Sequence, residues 1–324
     1  MPFLQNQTRQ GLRDLTNKSL LGKAKLPIIQ NPPITSQVQA EPVQLQQRPE
    51  VESRYDIDLP DRHDPLAVSQ YVQEIYEYLR ELEHRMHPPC DYMEKQKELT
   101  TEMRLVVVDW LCDVHERFRL NHETFFLAVN YLDRFLSKKQ VAKAKFQLVA
   151  LGSLFVAAKV EETFAPYIRD IISVTQCPFT HEQFLKLETV MLKTLEYEMF
   201  APSSFTFLRR FTKIVGADRV HKYTAHFLIE LSLLEYDFLK YTPSQIAAAS
   251  VLAAFEIHGV RSWPDALSRY SGYQQEDITA IASELVQLVT KLPKLRAKAV
   301  VKKYSTDSYH RIAHVVAQKL RITL

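Results

Sequence analysis

Six glycines in 324 residues is the feature that most narrows the folds open to this chain. Only Gly152, Gly216, Gly259 and Gly272 lie beyond residue 60. Tight hairpins and phosphate-cradling loops both use glycine to reach positive φ. Such scarcity argues against a nucleotide-binding α/β enzyme and against an all-β fold. It favours helices joined by short polar loops.

The hydrophobic periodicity agrees. Residues 1–62 read as a disordered tail, because the first 50 carry nine glutamines and one aromatic, Phe3, too little apolar content to offset the entropy of ordering. A lead-in helix is predicted from Pro65, with Val72, Ile75, Tyr76 and Leu79 on one face, ending at the paired prolines of "HPPCDY". Helices are then expected over Thr101–Arg119 (capped by Thr100 or Thr101), over "ETFFLAVNYLDRFLSKK" (capped by Asn121), and over Ala144–Glu162. The last is apolar nearly all round, which marks a helix surrounded by others, and Ala150, Gly152, Ser153, Ala157 and Ala158 would let neighbours come close. Shorter helices follow at Ala165–Val174 and at Thr180–Leu195, the latter opening like a capping box. After "FAPSS" the pattern restarts: "YTAHFLIELSLLEYDFLKY" and "PSQIAAASVLAAFEI" echo the earlier helices about 100 residues on, in the same order. The fold class is all-α, with a tail (1–62), a lead-in helix and first helical unit (63–199) and a second unit (200–324).

Two patterns invite a functional reading. Met103, Val106, Val107 and Trp110 recur at i, i+3, i+4 and i+7, a stripe that spacing alone assigns to the core. Arg104, Asp133 and Lys159 interrupt apolar helices, and a charge buried there needs a partner; together they suggest one internal ion cluster.

"MRLVVVDWL", "LDRFLS", "FQLVALGSLFVAAKVEE" and "LETVMLKTLEYEMFAPSSFTFLRR" resemble the cyclin box in order and spacing, and the match extends over about residues 65–324. "DPLAVSQYVQEIYEYLRELE" and "LLEYDFLKYTPSQIAAAS" are most similar to mitotic B-type cyclins. The resemblance implies two tandem five-helix cyclin folds and a role as activating subunit of a cyclin-dependent kinase at the G2/M transition, in nucleus and cytoplasm. It places Arg104, Asp133 and Lys159 at the family's charged positions. It assigns kinase contact to Lys159 and Glu188, with Val160, Glu161 and Glu162 nearby and Tyr71 and Ile75 on the lead-in helix. It turns Met103, Val106, Val107, Trp110, Asp113 and Gln147 into a surface groove for substrates or inhibitors bearing an arginine-x-leucine motif. The chain departs from the family pattern at Val160 (usually aromatic), at "TFAPYIRD" (usually a diproline loop), at Phe146 (usually leucine) and at Asp113 (usually glutamate). In the tail, "RQGLRDLTN" matches the destruction box R-x-x-L-x-x-L-x-N, with Arg9, Leu12, Leu15 and Asn17 as its recognition residues and an anaphase-promoting ubiquitin ligase as the implied partner.

Intrinsic catalysis is not expected: GxGxxG, a P-loop, HExxH, CxxC and GxSxG are all missing, so no cofactor or metal is predicted. The three cysteines are odd in number and widely spaced, which fits reduced thiols. No apolar leader opens the chain, and the uncharged apolar stretch Phe146 to Ala158 is too short to span a bilayer, so no membrane partner is expected. The alternative is a TFIIB-like transcription factor, which also carries tandem cyclin folds. A formal net charge of +3 and a tail without cysteine speak against it and against nucleic acid as partner.

Overall fold

The structure is a computed structural model. It describes residues 56–174, 179–260, 262–294 and 298–323. Residues 1–55, including the destruction-box match at Arg9, Leu12, Leu15 and Asn17, lie outside them.

Thirteen α-helices and no strand occur among the described residues. The lead-in helix is α1 (Val72–Arg85). The first unit comprises α2 (Thr101–Phe118), α3 (His122–Lys138), α4 (Lys143–Glu161), α5 (Ile168–Ser173) and α6 (His181–Thr194). The second repeats the plan with α7 (Ser204–Ile214), α8 (Arg219–Leu234), α9 (Pro243–Ile257), α10 (Asp265–Ser271) and α11 (Gln275–Lys291). Two closing helices, α12 (Ala299–Tyr304) and α13 (Ile312–Leu320), fold back: α12 against α2 and α8, α13 against α8, α9 and α11.

The small-residue helices sit at the centre of each unit. From Leu148 to Ala158 every residue of α4 is buried, and α9 is buried from Ile246 to Phe255. At Gly152 α6 comes close: a Cβ there would stand 2.6 Å from Leu187 Cδ2. Of the caps expected at Thr100, Asn121 and Thr180, the first and last make their side-chain bonds, and Thr242 adds one that was not expected. Thr100 accepts from Met103 N at the start of α2, and Thr180 and Thr242 form capping boxes with Gln183 and Gln245.

Three boundaries differ from expectation. The lead-in helix begins at Val72, not Pro65: Asp64 accepts from Leu66 N (2.9 Å) in a turn, and Val68 adopts φ 48°, which interrupts any helix. Helix α5 begins at Ile168, not Ala165, because Pro166 biases the residue before it toward extended backbone. The end of the segment read as tail is ordered. Asp58 is buried and receives both guanidinium nitrogens of Arg210 (2.5 Å each) and Lys213 Nζ (2.8 Å), so residues 56–62 are strapped to α7. Those cations outweigh the effect of burial, which alone would raise the Asp58 pKa, and hold its carboxyl below the usual range. No helix among the described residues is long and apolar enough to cross a membrane.

Candidate functional site

The internal ion cluster contains two of its three expected members. Arg104, 1% exposed, donates to Asp133 through Nε and one terminal nitrogen (2.7 Å each), and Tyr92 donates to the same carboxylate at 2.6 Å. The other guanidinium nitrogen reaches the Leu233 carbonyl at the end of α8 (2.8 Å). Burial alone would lower the Arg104 pKa, but the charge of Asp133 outweighs it and the pKa is raised. The group therefore clips α2 to α3 and the first unit to the second. Lys159 is not part of it. It lies at the solvent end of α4, where a long side chain keeps its ammonium in water.

There Lys159 Nζ donates to Glu188 Oε1 of α6 at 2.6 Å and sits 4.5 Å from the Phe155 ring centroid, with its side chain 44% exposed. Val160 beside it is exposed, and so is Leu185, one helical turn before Glu188. The α4–α5 connection adds Phe164, 90% exposed, and Tyr167, 70% exposed. An apolar surface of this kind around an ion pair is what a partner would cover. Burial, followed by the charges of Glu123 and Glu162, raises the Glu161 pKa. Glu162 has a structural duty. Its oxygens accept from Asn121 N (2.6 Å), Asn121 Nδ2 (2.8 Å) and Thr124 Oγ1, so it serves the start of α3, where Asn121 makes no side-chain cap bond itself.

At the start of α1 its N-cap residue Tyr71 and, within it, Ile75 and Tyr78 are exposed, three apolar residues at i, i+4 and i+7. The opposite face is fastened to the second unit. Buried Glu83 accepts from Ser244 N (2.8 Å) and Ser244 Oγ (2.6 Å) at the start of α9, Arg80 donates to Ser244 Oγ (2.6 Å), and Tyr76 donates to the Thr206 carbonyl.

The α2 stripe is neither core nor free surface. Met103, Val107 and Trp110 are half-buried against the core, and Val106 and Asp113 are exposed. Gln147 of α4 is half-buried and Phe146 beside it fully so. The true core face of α2 runs through Leu105, Val108, Leu111 and Cys112, a phase the sequence reading did not separate from the stripe. Asp109 and Glu116 serve α12: Asp109 accepts from the backbone N–H groups of Lys298 (2.8 Å), Ala299 (3.0 Å) and Val300 (3.2 Å), and Glu116 pairs with Lys303 (3.1 Å). Tyr78, Phe164, Tyr167 and Leu185 were missed. Tyr78 had a signal in its three-residue spacing from Ile75; the other three look like ordinary apolar positions until the fold leaves them exposed among the described residues.

A second cluster joins α3, α8 and α12. Glu230 is buried and accepts from Lys303 Nζ and Tyr304 Oη, both at 2.9 Å, with His122 Nδ1 at 3.0 Å. His226, one turn away, has neither ring nitrogen hydrogen-bonded, and burial, then the neighbouring His122, pushes its pKa down to about 3. The folded protein therefore refuses a proton that the unfolded chain takes up below its ordinary value of 6.5. Stability should fall by about 1.4 kcal/mol per pH unit below that value, or about 2 kcal/mol by pH 5. His226→Phe should flatten this slope. Urea melts of both proteins at pH 7 and pH 5 measure it; equal pH slopes would contradict it.

Residues 74–200 match the family described as "Cyclin, N-terminal domain" and residues 202–318 "Cyclin, C-terminal domain". G2/mitotic-specific cyclin-1 of Medicago sativa subsp. varia is 38% identical over 255 residues, 78% of this chain and 60% of the relative. G2/mitotic-specific cyclin-B of Hydra vulgaris is 38% identical over 258 residues, 80% of this chain and 71% of the relative. The chain thus spans less than two thirds of the Medicago protein's length. In fold it is similar to a viral cyclin from herpesvirus saimiri, with TM-score 0.57 and 20% identity over 65% of this chain and 96% of that one. The tandem five-helix units and these matches agree, and the chain belongs to the cyclin family, with curated relatives of the G2/mitotic B type.

Proposed function

We propose that this protein is the activating subunit of a cyclin-dependent protein kinase at the G2/M transition. The observation that carries the reading is the partly exposed ion pair Lys159–Glu188 on α4 and α6, with the exposed apolar residues Val160, Leu185, Phe164 and Tyr167 on the same helices and the connection after α4. Such a face performs no chemistry. Its binding energy favours one kinase conformation over another. In an active kinase a lysine–glutamate pair must be assembled, and the helix bearing that glutamate is positioned from outside. Tyr71, Ile75 and Tyr78 on α1 offer a second apolar contact, held in place by Glu83 and Arg80. Substrates or inhibitors with arginine-x-leucine motifs would dock along Met103, Val106, Val107, Trp110, Asp113 and Gln147, the leucine against the half-buried apolar stripe and the arginine toward Asp113. The chain would work in nucleus and cytoplasm. Mass spectrometry of the native complex tests the partner: co-purification of a kinase supports the proposal, and retention on DNA at physiological salt without a kinase overturns it.

Turnover is assigned to Arg9, Leu12, Leu15 and Asn17, with Lys18, Lys23 and Lys25 close by as ubiquitin acceptors. A tail this poor in apolar residues suits capture in extended form by a ligase. Arg9→Ala with Leu12→Ala should prolong the half-life severalfold in extract containing the active anaphase-promoting ubiquitin ligase, with kinase binding unchanged. Decay as fast as wild type would reduce the match to coincidence.

A further inference from the structure

The docking reading leaves one charge unexplained. Along α2 the acids Asp109, Asp113 and Glu116 form a row at i, i+4 and i+7, and α12 lies beside it with its own residues in matching order. Asp109 holds the first backbone N–H groups of α12, and Glu116 pairs with buried Lys303. Between them, Lys302 Nζ stands 3.8 Å from Asp113 Oδ1. This middle contact differs from its neighbours. It is the longest of the three and lies in solvent, with side chains 79% and 56% exposed.

We propose that Lys302 is a specificity-determining residue of the docking groove, a built-in competitor for the carboxylate that would receive a peptide's arginine. The inference rests on the docking reading of the α2 stripe. Its physics is exchange: an arginine arriving at Asp113 replaces one cation by another and gains only the difference. A bidentate guanidinium–carboxylate pair outdoes a single ammonium contact of this length, so docking remains favourable but attenuated. The competitor's position is built into the fold. Asp109 fixes the start of α12, and Val300 and Tyr304 are buried, so Lys302 is presented to the groove by an anchored helix. The second cyclin unit and its closing helices thereby set how strongly the first unit's groove prefers a basic peptide. The shorter Asp113, where the family usually carries glutamate, keeps its carboxylate close to α2 and within reach of this helix.

The test is peptide affinity, by fluorescence anisotropy on the full chain, for an arginine-x-leucine peptide and a twin with alanine in place of arginine. Lys302→Gln should tighten the arginine peptide about two- to fivefold at low salt, the range expected for relieving an exposed ion pair. The twin should be unaffected, the gain should vanish in an Asp113→Asn background, and it should shrink in about 0.5 M salt. An unchanged or weaker arginine peptide, or an equal gain for both peptides, overturns the proposal. If wild type binds neither peptide, the docking reading itself falls and this inference with it, whereas binding that ignores Lys302 overturns the inference alone. Lys302 touches solvent, so an unaltered thermal melt of Lys302→Gln is expected.

Discussion

Asp133→Ala should cost the protein about 3–5 kcal/mol, a large fraction of the stability of an ordinary domain. The reason lies in what the deletion leaves behind. Arg104 is 1% exposed, and losing the carboxylate leaves its guanidinium with no anion, held by the Leu233 carbonyl and facing the Tyr236 ring. Tyr92, also buried, loses the acceptor of its hydroxyl. An uncompensated buried charge and an unsatisfied hydroxyl are both costly, and the guanidinium cannot escape by giving up its proton. Arg104→Ala should cost less than Asp133→Ala if the vacated volume admits water to Asp133, whereas Arg104→Leu with Asp133→Leu should recover part of the loss, since an apolar pair leaves no buried charge and only the Tyr92 hydroxyl and the Leu233 carbonyl without their partners. Because Arg104 also reaches the end of α8, the destabilisation should loosen the two units from one another. Hydrogen exchange would show protection falling around Leu233 as well as in α2 and α3. A loss below about 1 kcal/mol for Asp133→Ala in urea melts would mean that the pair does not clip the two units together.

The repeat of small-residue helices was readable in advance because α4 and α9 each spend a full turn of their circumference on neighbours, leaving no polar stripe to confuse the pattern. The cap at Thr180 was equally local: a hydroxyl and an amide three residues apart satisfy the backbone within a single turn. The fate of Lys159 was not local. Whether a lysine at the end of an apolar helix turns inward or outward depends on which helix lies opposite, and α6 is brought there by contacts some 30 residues on. The α2 stripe failed for a related reason. Two phases of apolar residues run along that helix, Leu105–Val108–Leu111–Cys112 and Met103–Val107–Trp110, and periodicity cannot tell which faces the centre. Likewise the order at residues 56–62 comes from Arg210 and Lys213, about 150 residues away, which no window along the chain connects to Asp58.

Lys159→Ala combined with Glu188→Ala should leave the fold nearly intact and lower kinase affinity at least about thirtyfold, on the order of 2 kcal/mol or more. The two halves of this expectation come from different physics. Within the free protein the pair is partly exposed and the two charges neutralise one another, so removing both leaves no orphan charge and costs at most about 1 kcal/mol. Against a partner the same charges become desolvated, and the contacts they lose are no longer replaced by water. Either single variant is less clean. Glu188→Ala strands Lys159 above the Phe155 ring, and Lys159→Ala strands a mostly buried carboxylate. Glu162→Ala is the control on the same surface. Its carboxylate is spent on Asn121 and Thr124, so the variant should lose about 1–2 kcal/mol of stability through the start of α3 while its kinase activation at low temperature stays near wild type. Thermal melts, pull-downs and a histone-type kinase assay on all three proteins separate the cases. Wild-type activation by the double variant would move the kinase interface away from α4 and α6, and activation lost only in step with stability would reduce the pair to a surface brace between these two helices.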